Sequence, residues 1–332
     1  MAQRRLLAVK MATPPRPAPR ASVIVPARNA ERTLPRTLAS LSSQELEGDY
    51  ELLVVDDGSS DRTAAIATAT PGVRLLRQPP RGPGSARNLG AGHARGAVLA
   101  FCDADVFPAA GWLAAGVAAL RDAELVQGRV IADPETPLGP FDRTIWVTSA
   151  HGLWETANLF VARELFDRLG GFEDWLRPRS GKALAEDVWF GYRARRAGAR
   201  TGFCERALAY HAVFPRGWRG YVGERRRLEY FPAMAAKMPE LRDGFLRHRL
   251  FLSDRTASFD LALGALASAA MIRRGWPALA AAPYLVTLTQ NARFRAGSPR
   301  TAIAVALADA AADVVGAVSL AAGSVRYRAP VL

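Results

Sequence analysis

ELLVVDDGSSDR, residues 51–62, decides how the chain is read. A run suited to a buried strand (Glu51 to Val55) passes straight into a turn of carboxylates, glycine and serine. Asp61 then offers a side chain to cap a helix over Arg62 to Ala69. The same unit recurs on either side. Upstream, ASVIVP (residues 21–26) is a β-branched run ended by proline. Arg28-Asn29 follows it, then helical apolar spacing over Thr33 to Leu41. Downstream come a strand at Val73 to Leu76, a helix at Ser85 to Arg95 and a strand at Ala97 to Cys102. Strand and helix alternate, and each strand is apolar throughout. That pattern predicts an α/β fold with a mostly parallel, Rossmann-like sheet and helices on both faces. Ligands of such sheets sit beyond the carboxyl ends of the strands, where Arg28-Asn29, Asp56-Asp57 and Asp103-Asp105 all fall.

Beyond Val126 the alternation loosens. Strands are expected at Val126 to Ala132 and Trp154 to Ala162, with a helix at Arg163 to Leu169. A helix at Asp187 to Ala197 and a strand at Thr201 to His211 complete the series. The chain divides into a basic, disordered leader (1–20), an α/β domain (21–215) and an Arg-rich, then Ala-rich helical region (216–332).

Composition narrows the function classes. Hydrophobic residues make up 49% of the chain, which excludes wholesale disorder. Lys and Arg number 44 against 31 Asp and Glu, a net charge of +13. Such a surplus favours polyanionic company: nucleic acid, an anionic membrane face or a phosphorylated substrate. A coding bias that exchanges Lys for Arg and enriches Ala would raise it with no functional meaning. The basic residues are not interleaved with an aromatic platform, so no specific nucleic acid is expected as partner. Cys102 and Cys204 lie far apart and form no CxxC, which argues against a disulfide scaffold or a zinc site. MAQRRLLAVKMATPPRPAPR at the start lacks the apolar run of a signal peptide, so a cytoplasmic setting is expected.

Four polar signals carry candidate chemistry. Asp103-Ala104-Asp105 leaves a buried strand, and carboxylates at i and i+2 can face one hard divalent cation, Mn²⁺ or Mg²⁺. A pair of turn aspartates reads equally well. LAFCDADV also fits a phosphatase pattern in which the first aspartate is a nucleophile, although three strand–turn units precede it here. RGPGSARNLG (81–90) opens a helix with two arginines near an N-terminus that suits an anion, or is a loop needing glycine freedom. Glu186-Asp187 begins a helix, as a cap or as chemistry, and His211 ends an apolar strand.

Taken in order, these pieces resemble the family 2 glycosyltransferases, which have the GT-A fold. SVIVPARNAERTL, LLVVDDGSSDRT, RGPGSARNLGA, FCDADV, ANLFVARELFDRLGGFED and EDVWFGYRARRAG are similar to that family's successive landmarks, over about residues 21 to 215. The resemblance implies a nucleotide-diphosphate sugar donor and transfer to an acceptor hydroxyl with inversion, in envelope glycan, glycolipid or polysaccharide synthesis. It implies that Pro26, Arg28, Asn29, Asp56 and Asp57 line the nucleotide pocket, with Arg87, Asp103 and Ala104 beside the donor. It implies Asp105, with Asp103 and His211, at the metal. Asp187 would be the base, with Glu186 next in line. The Gln-x-x-Arg-Trp signature of processive synthases is absent; Arg216, Trp218 and Arg225 to Arg227 stand there instead, so single addition is expected. A protein that binds a nucleotide sugar without turnover is the alternative.

The tail raises the question of a membrane. Ser258 to Thr289 is broken by Arg273-Arg274-Gly275 and Pro277, and Thr301 to Gly323 carries Asp309 and Asp313 on one helical face. Neither is a clean span. The choice lies between helices on an anionic bilayer face, peripheral or integral at its cytoplasmic side, and a bundle packed on the enzyme. The acceptor is expected to be a sugar or a lipid-linked molecule.

Overall fold

The computed structural model describes residues 18–178 and 183–332. The expected leader therefore lies almost wholly outside the described residues. In chain order the first half runs β1 (Ala21–Ala27), α1 (Leu34–Ser42), β2 (Tyr50–Asp56), α2 (Thr63–Ala69), β3 (Val73–Arg77), α3 (Pro83–His93) and β4 (Val98–Cys102). Then come β5 (Val106–Pro108), α4 (Trp112–Ala119), β6 (Leu125–Ala132), β7 (Asn158–Ala162), α5 (Arg163–Leu169), α6 (Glu186–Arg196) and β8 (Thr201–His211).

These strands form one eight-stranded sheet in the order β3-β2-β1-β4-β7-β6-β8-β5. β1 to β4 are parallel, which accords with the uniform burial of β1 and the apolar runs beside it. The second half departs from the parallel expectation. β7 runs antiparallel to β4 and β6, and β5 is antiparallel to β8. β3 is an edge strand, only partly covered.

Each face of the sheet carries its own core. On one, Val23, Val25, Leu52 and Val54 meet Leu34, Leu38 and Trp112 from α1 and α4. On the other, Ile24, Val55 and Leu99 meet α3, α5 and α6. There Phe101, Phe166, Phe172 and Phe190 pack with ring centroids 4.9–5.7 Å apart. Each such ring contributes roughly 1.5–3 kcal/mol by leaving water.

Three local expectations are corrected. The strand expected from Trp154 begins only at Asn158, because Trp154 takes a left-handed φ of 56° and a turn precedes the pairing. Asp61 is not the N-cap: the helix begins one residue later, at Thr63, although the Asp61 carboxylate still accepts the Thr63 N–H at 2.9 Å. The segment between Asp105 and Val126 holds β5 and α4, which carried no strand or helix reading.

After β8 the chain is helical. It runs α7 (Trp218–Glu224), a 3-10 segment (Arg225–Tyr230), α8 (Phe231–Lys237), α9 (Leu241–Gly244) and α10 (Asp254–Ile272). A second 3-10 segment (Trp276–Ala281), α11 (Ala282–Arg295) and α12 (Pro299–Tyr327) follow. α10 stops where Arg273 turns left-handed, before Gly275 and Pro277, as the breakers in the sequence imply. α12 is long and apolar enough to cross a membrane by length and composition. Its two aspartates, however, are bound inward. Asp309, fully buried, accepts from Tyr221 Oη at 2.8 Å and pairs with Arg255 and Arg295. Asp313 pairs with Arg255 at 2.7 Å and accepts from Tyr284 Oη at 2.8 Å.

Candidate active site

A pocket of about 1200 Å³ opens at the carboxyl ends of β1, β2 and β4, where the parallel half of the sheet ends. Pro26, Arg28 and Asn29 form one wall. Asn29 holds a left-handed φ of 51°, which an Asn tolerates. Its Oδ1 accepts from Ser60 N–H at 2.9 Å, and its own N–H donates to Ser59 Oγ at 3.0 Å, so the two loops are tied together.

The two aspartates of the DDGSS turn part company. Asp57 reaches the pocket wall, and its carboxylate accepts from Arg81 N–H (2.8 Å), Gly82 N–H (2.9 Å) and Gln78 Nε2 (2.7 Å). It thereby fixes the loop into α3, which turns at Gly82 through a φ of +100°. Asp56 lies behind that wall. Its oxygens accept from Ser59 N–H at 3.0 Å and Arg77 Nε at 3.3 Å. Asp56, expected at the nucleotide pocket, is not among the residues that line it, and its carboxylate is held by Ser59 of the turn and Arg77 of β3.

Arg87 is buried at the centre of the site. Nη2 donates to Asp103 Oδ1 at 2.6 Å and Nη1 to Glu186 Oε1 at 3.2 Å. The planar fork expected for a donor anion is filled by two of the chain's own carboxylates. Arg87 thus joins the turn after β4 to the start of α6. α3 can lie this close to β1 because Gly90 has no side chain; a Cβ there would stand 2.5 Å from Ile24 Cγ2.

Asp105 and His211 come together through sheet register. β5 pairs with β8 so that Val106 opposes His211, and Ala212 N–H donates to Asp105 O at 2.9 Å. Asp105 lines the pocket, and His211 is buried beside it with Nε2 3.7 Å from Asp105 Oδ2. His211 Nδ1 lies 2.7 Å from the Ala212 carbonyl, which can only accept. Nδ1 is therefore the donor of that bond, and Nε2 faces the Asp105 carboxylate. With His211 neutral, Nε2 and the Asp105 carboxylate are the two groups here that would ligate a divalent cation. Burial pushes the Asp105 carboxyl up and Asp103 adds to this, against the opposing pull of His211 and Arg143. Asp103 also lines the pocket, with its Oδ1 taken by Arg87. Among the described residues no three His, Cys, Asp or Glu side chains form a closed metal cluster.

Asp187 sits at the start of α6, lines the pocket and accepts from Val188 N–H at 2.8 Å. Burial, then the neighbouring Glu186 and Glu155, push it up to about 8, with Arg87 pulling the other way. Glu155 also lines the pocket, and burial pushes it up to about 7. Each of these carboxylate segments is preceded by a strained residue. Trp154 before Glu155 and Ala185 before Glu186 have φ of 56° and 58°. Left-handed backbone at a bulky or β-carbon-bearing residue persists only where its surroundings impose it, often at working sites.

Comparison with known proteins gives this geometry its context. Residues 22–172 match the family described as Glycosyl transferase family 2. The chain is 31% identical over 215 residues to glycosyltransferase AglE of Haloferax volcanii, covering 60% of this chain and 69% of that one. The chain is a family 2 glycosyltransferase. The transferase is also 30% identical over 236 residues to the probable glycosyltransferase YdaM of Bacillus subtilis, of which it spans 54%. In fold it is similar to the mannosyltransferase PcManGT of Pyrobaculum calidifontis, solved with GDP-Man and Mn²⁺. The TM-score is 0.55 at 24% identity, over 97% of this chain and 91% of that one. The sheet is thus the GT-A sheet, with a helical region appended.

Several pocket residues of the transferase escaped the sequence reading. Glu155 fell inside a stretch read as strand, where a carboxylate among apolar neighbours was the available signal. Arg32, Arg81 and Arg143 also border the pocket, and the Arg-rich segment after β8 supplies Arg225 and Arg227. Of these, Arg81 was marked beside a helix start suited to an anion, and Arg225 and Arg227 as part of a basic cluster without an address; Arg32 and Arg143 were not singled out.

Proposed function

We propose that this transferase moves a sugar from a nucleotide-diphosphate donor to an acceptor hydroxyl with inversion, one sugar per encounter. Asp187 acts as base, and a divalent cation, Mn²⁺ or Mg²⁺, is held by Asp105 and His211. The observation that carries the reading is Asp187, buried at the pocket with its proton affinity raised to near the working pH, where a general base is most effective. The acceptor oxygen attacks the anomeric carbon from the face opposite the diphosphate, and its proton passes to Asp187. A bound cation supplies neutralisation of the charge that grows on the departing diphosphate. Arg28 and Arg81 at the pocket wall add positive charge on the same side. PcManGT, whose structure holds Mn²⁺ with its sugar nucleotide, supports the cation by analogy of fold.

The inventory of carboxylates supports inversion. A double displacement needs a second, ionised carboxylate as nucleophile. Glu186 is occupied by Arg87, and Asp187 is assigned as the base, which supports a single displacement. Asp103 keeps a positioning role through Arg87. We place the enzyme at the cytoplasmic face of a membrane, with its tail helices lying on the surface, in glycan or glycolipid assembly.

The test is a panel of nucleotide sugars with the full chain, following release of nucleoside diphosphate. Turnover is expected with Mn²⁺ or Mg²⁺, lost in excess chelator and restored by either metal. Full activity in chelator overturns the metal assignment. Retention of anomeric configuration in the product, read by proton NMR, overturns the single displacement.

A further inference from the structure

A second cavity, of about 330 Å³, lies between the 3-10 segment Arg225–Tyr230 and helices α10 and α12. That is within the usual range of roughly 300–1,000 Å³ for ligand sites. It adjoins the catalytic pocket, with Arg225, Leu228 and Phe231 lining both. Away from that junction its walls are largely apolar, with Phe245, Leu252, Phe259 and Leu320. Its charged groups are Arg255 and Asp313, paired at 2.7 Å, and Asp260, whose carboxyl burial pushes up. Gly316 leaves the groove open: a Cβ there would already stand 3.3 Å from Leu228 Cδ1.

The catalytic pocket changes character toward this junction. Its donor side is polar, whereas Leu153, Leu184, Val188 and Met234 face it near Asp187 and the junction. Polar groups such as Glu155, Thr156 and Tyr230 line the pocket there for a sugar head, and the apolar walls beside them suit a hydrocarbon. Arg225 stands at the junction, and Arg227, two residues on, lines the catalytic pocket. Among the described residues neither has a carboxylate partner; Arg225 donates to Tyr221 Oη at 3.3 Å. Positive charge at the mouth of an apolar groove matches one kind of molecule, an anionic head on a hydrocarbon chain.

We propose that the acceptor is a lipid-linked sugar whose chain lies in this groove and whose phosphate or diphosphate link is held by Arg225 and Arg227. The inference rests on the transferase reading of the main pocket and names its acceptor class. The sugar head then presents its hydroxyl to Asp187. The new bond forms between that oxygen and the anomeric carbon of the donor, the proton goes to Asp187, and the bond to the nucleoside diphosphate breaks with its electron pair on the departing oxygen.

Alkyl phosphates test the groove without knowledge of the sugar. Dodecyl phosphate, below its micelle concentration, should bind the full chain at least about tenfold more tightly than butyl phosphate, the added methylenes being buried. Dodecyl maltoside, with the same chain and a neutral head, should bind more weakly than dodecyl phosphate. Gly316→Leu fills the groove and should weaken dodecyl phosphate by about tenfold while leaving nucleoside diphosphate binding unchanged. A dodecyl phosphate with a terminal diazirine gives a reading free of any variant: it should label Phe259 and Leu320 peptides. Equal binding of the short and long chains, indifference to Gly316→Leu, or labelling at the outer residues Leu263, Met271 and Phe294 would each overturn the proposal. Failure of the transferase reading looks different, as absence of diphosphate release from every donor.

Discussion

Asp187 is the residue on which the chemistry turns. Asp187→Asn should retain nucleotide binding and lose turnover by about 10²-fold or more, the scale of general base catalysis. Near-normal turnover would move the role to Glu155 or Glu186. The pH dependence follows from the same carboxyl. A base must be ionised, so kcat/KM should rise with pH across the range set by Glu155 (about 7) and Asp187 (about 8). Stability runs the other way. The folded-state value of Asp187 is raised above its ordinary 3.8, so folding favours the protonated form. Its contribution is full below that ordinary value and is lost as pH rises through about 8. Asp187→Asn cannot ionise, and its melting temperature should fall less than the wild type's between about pH 6 and about pH 9. Equal falls in both proteins would show that Asp187 is already ionised in the folded state. Much at this scale was legible in the sequence, because a carboxylate at a strand end or helix start is a local feature. The partners were not. Arg87 is 16 residues from Asp103 and 99 from Glu186, and only the sheet order and the close seat of α3 bring the three together.

At the scale of elements, the parallel half of the fold was written in the sequence. Apolar runs buried on both faces and interrupted by helical spacing have few other solutions. The antiparallel half was not, because β5 is three residues long and β7 begins only after a turn that carries Trp154. That turn is held by α6. Gly191 lies against the Trp154 ring, where a Cβ would stand 1.9 Å from Cδ1. Gly191→Ala should therefore push Trp154 out and carry Glu155 and the start of α6 with it. The stability cost of such overpacking is roughly 1–3 kcal/mol. Turnover should fall by about tenfold or more, since displacements near 1 Å can cost 10²-fold. Gly264→Ala is the control, because nothing stands within 4 Å of its added Cβ. In the middle of α10 it should be neutral or stabilise by roughly 0.5–1 kcal/mol. If both variants behave alike by calorimetry and turnover, the Trp154 turn has no special tie to the site.

At the scale of the whole molecule the issue is what covers the tail. Apolar composition was plain in the sequence, but which residues face outward was not, because that depends on the buried contacts of Asp309 and Asp313. Those contacts argue that α12 lies against the enzyme and does not cross a bilayer. Crossing would strip Asp309 from Tyr221, Arg255 and Arg295, and charges inside a bilayer are expensive. Removing one partner of such a buried set costs roughly 3–5 kcal/mol, so Asp309→Ala should lower the melting temperature strongly. Outward, Met271, Leu279, Phe294 and Leu307 of the tail are each more than 60% exposed, apolar surface that a membrane or a second copy could cover. Arg273, Arg274 and Arg293 lie in the same helices or the turn between them, the mixture that suits an anionic lipid surface. Full-length protein should sediment with vesicles containing phosphatidylglycerol, less so with pure phosphatidylcholine, and added salt should weaken the difference. Leu279→Glu together with Phe294→Glu should abolish sedimentation while melting temperature and diphosphate release hold, because neither side chain enters the core or the pocket. Equal sedimentation of that double variant and the wild type would remove the membrane from the picture. Conversion of the wild type from a dimer to a monomer by the same two changes, read by analytical ultracentrifugation without lipid, would assign the apolar face to a second copy of the chain.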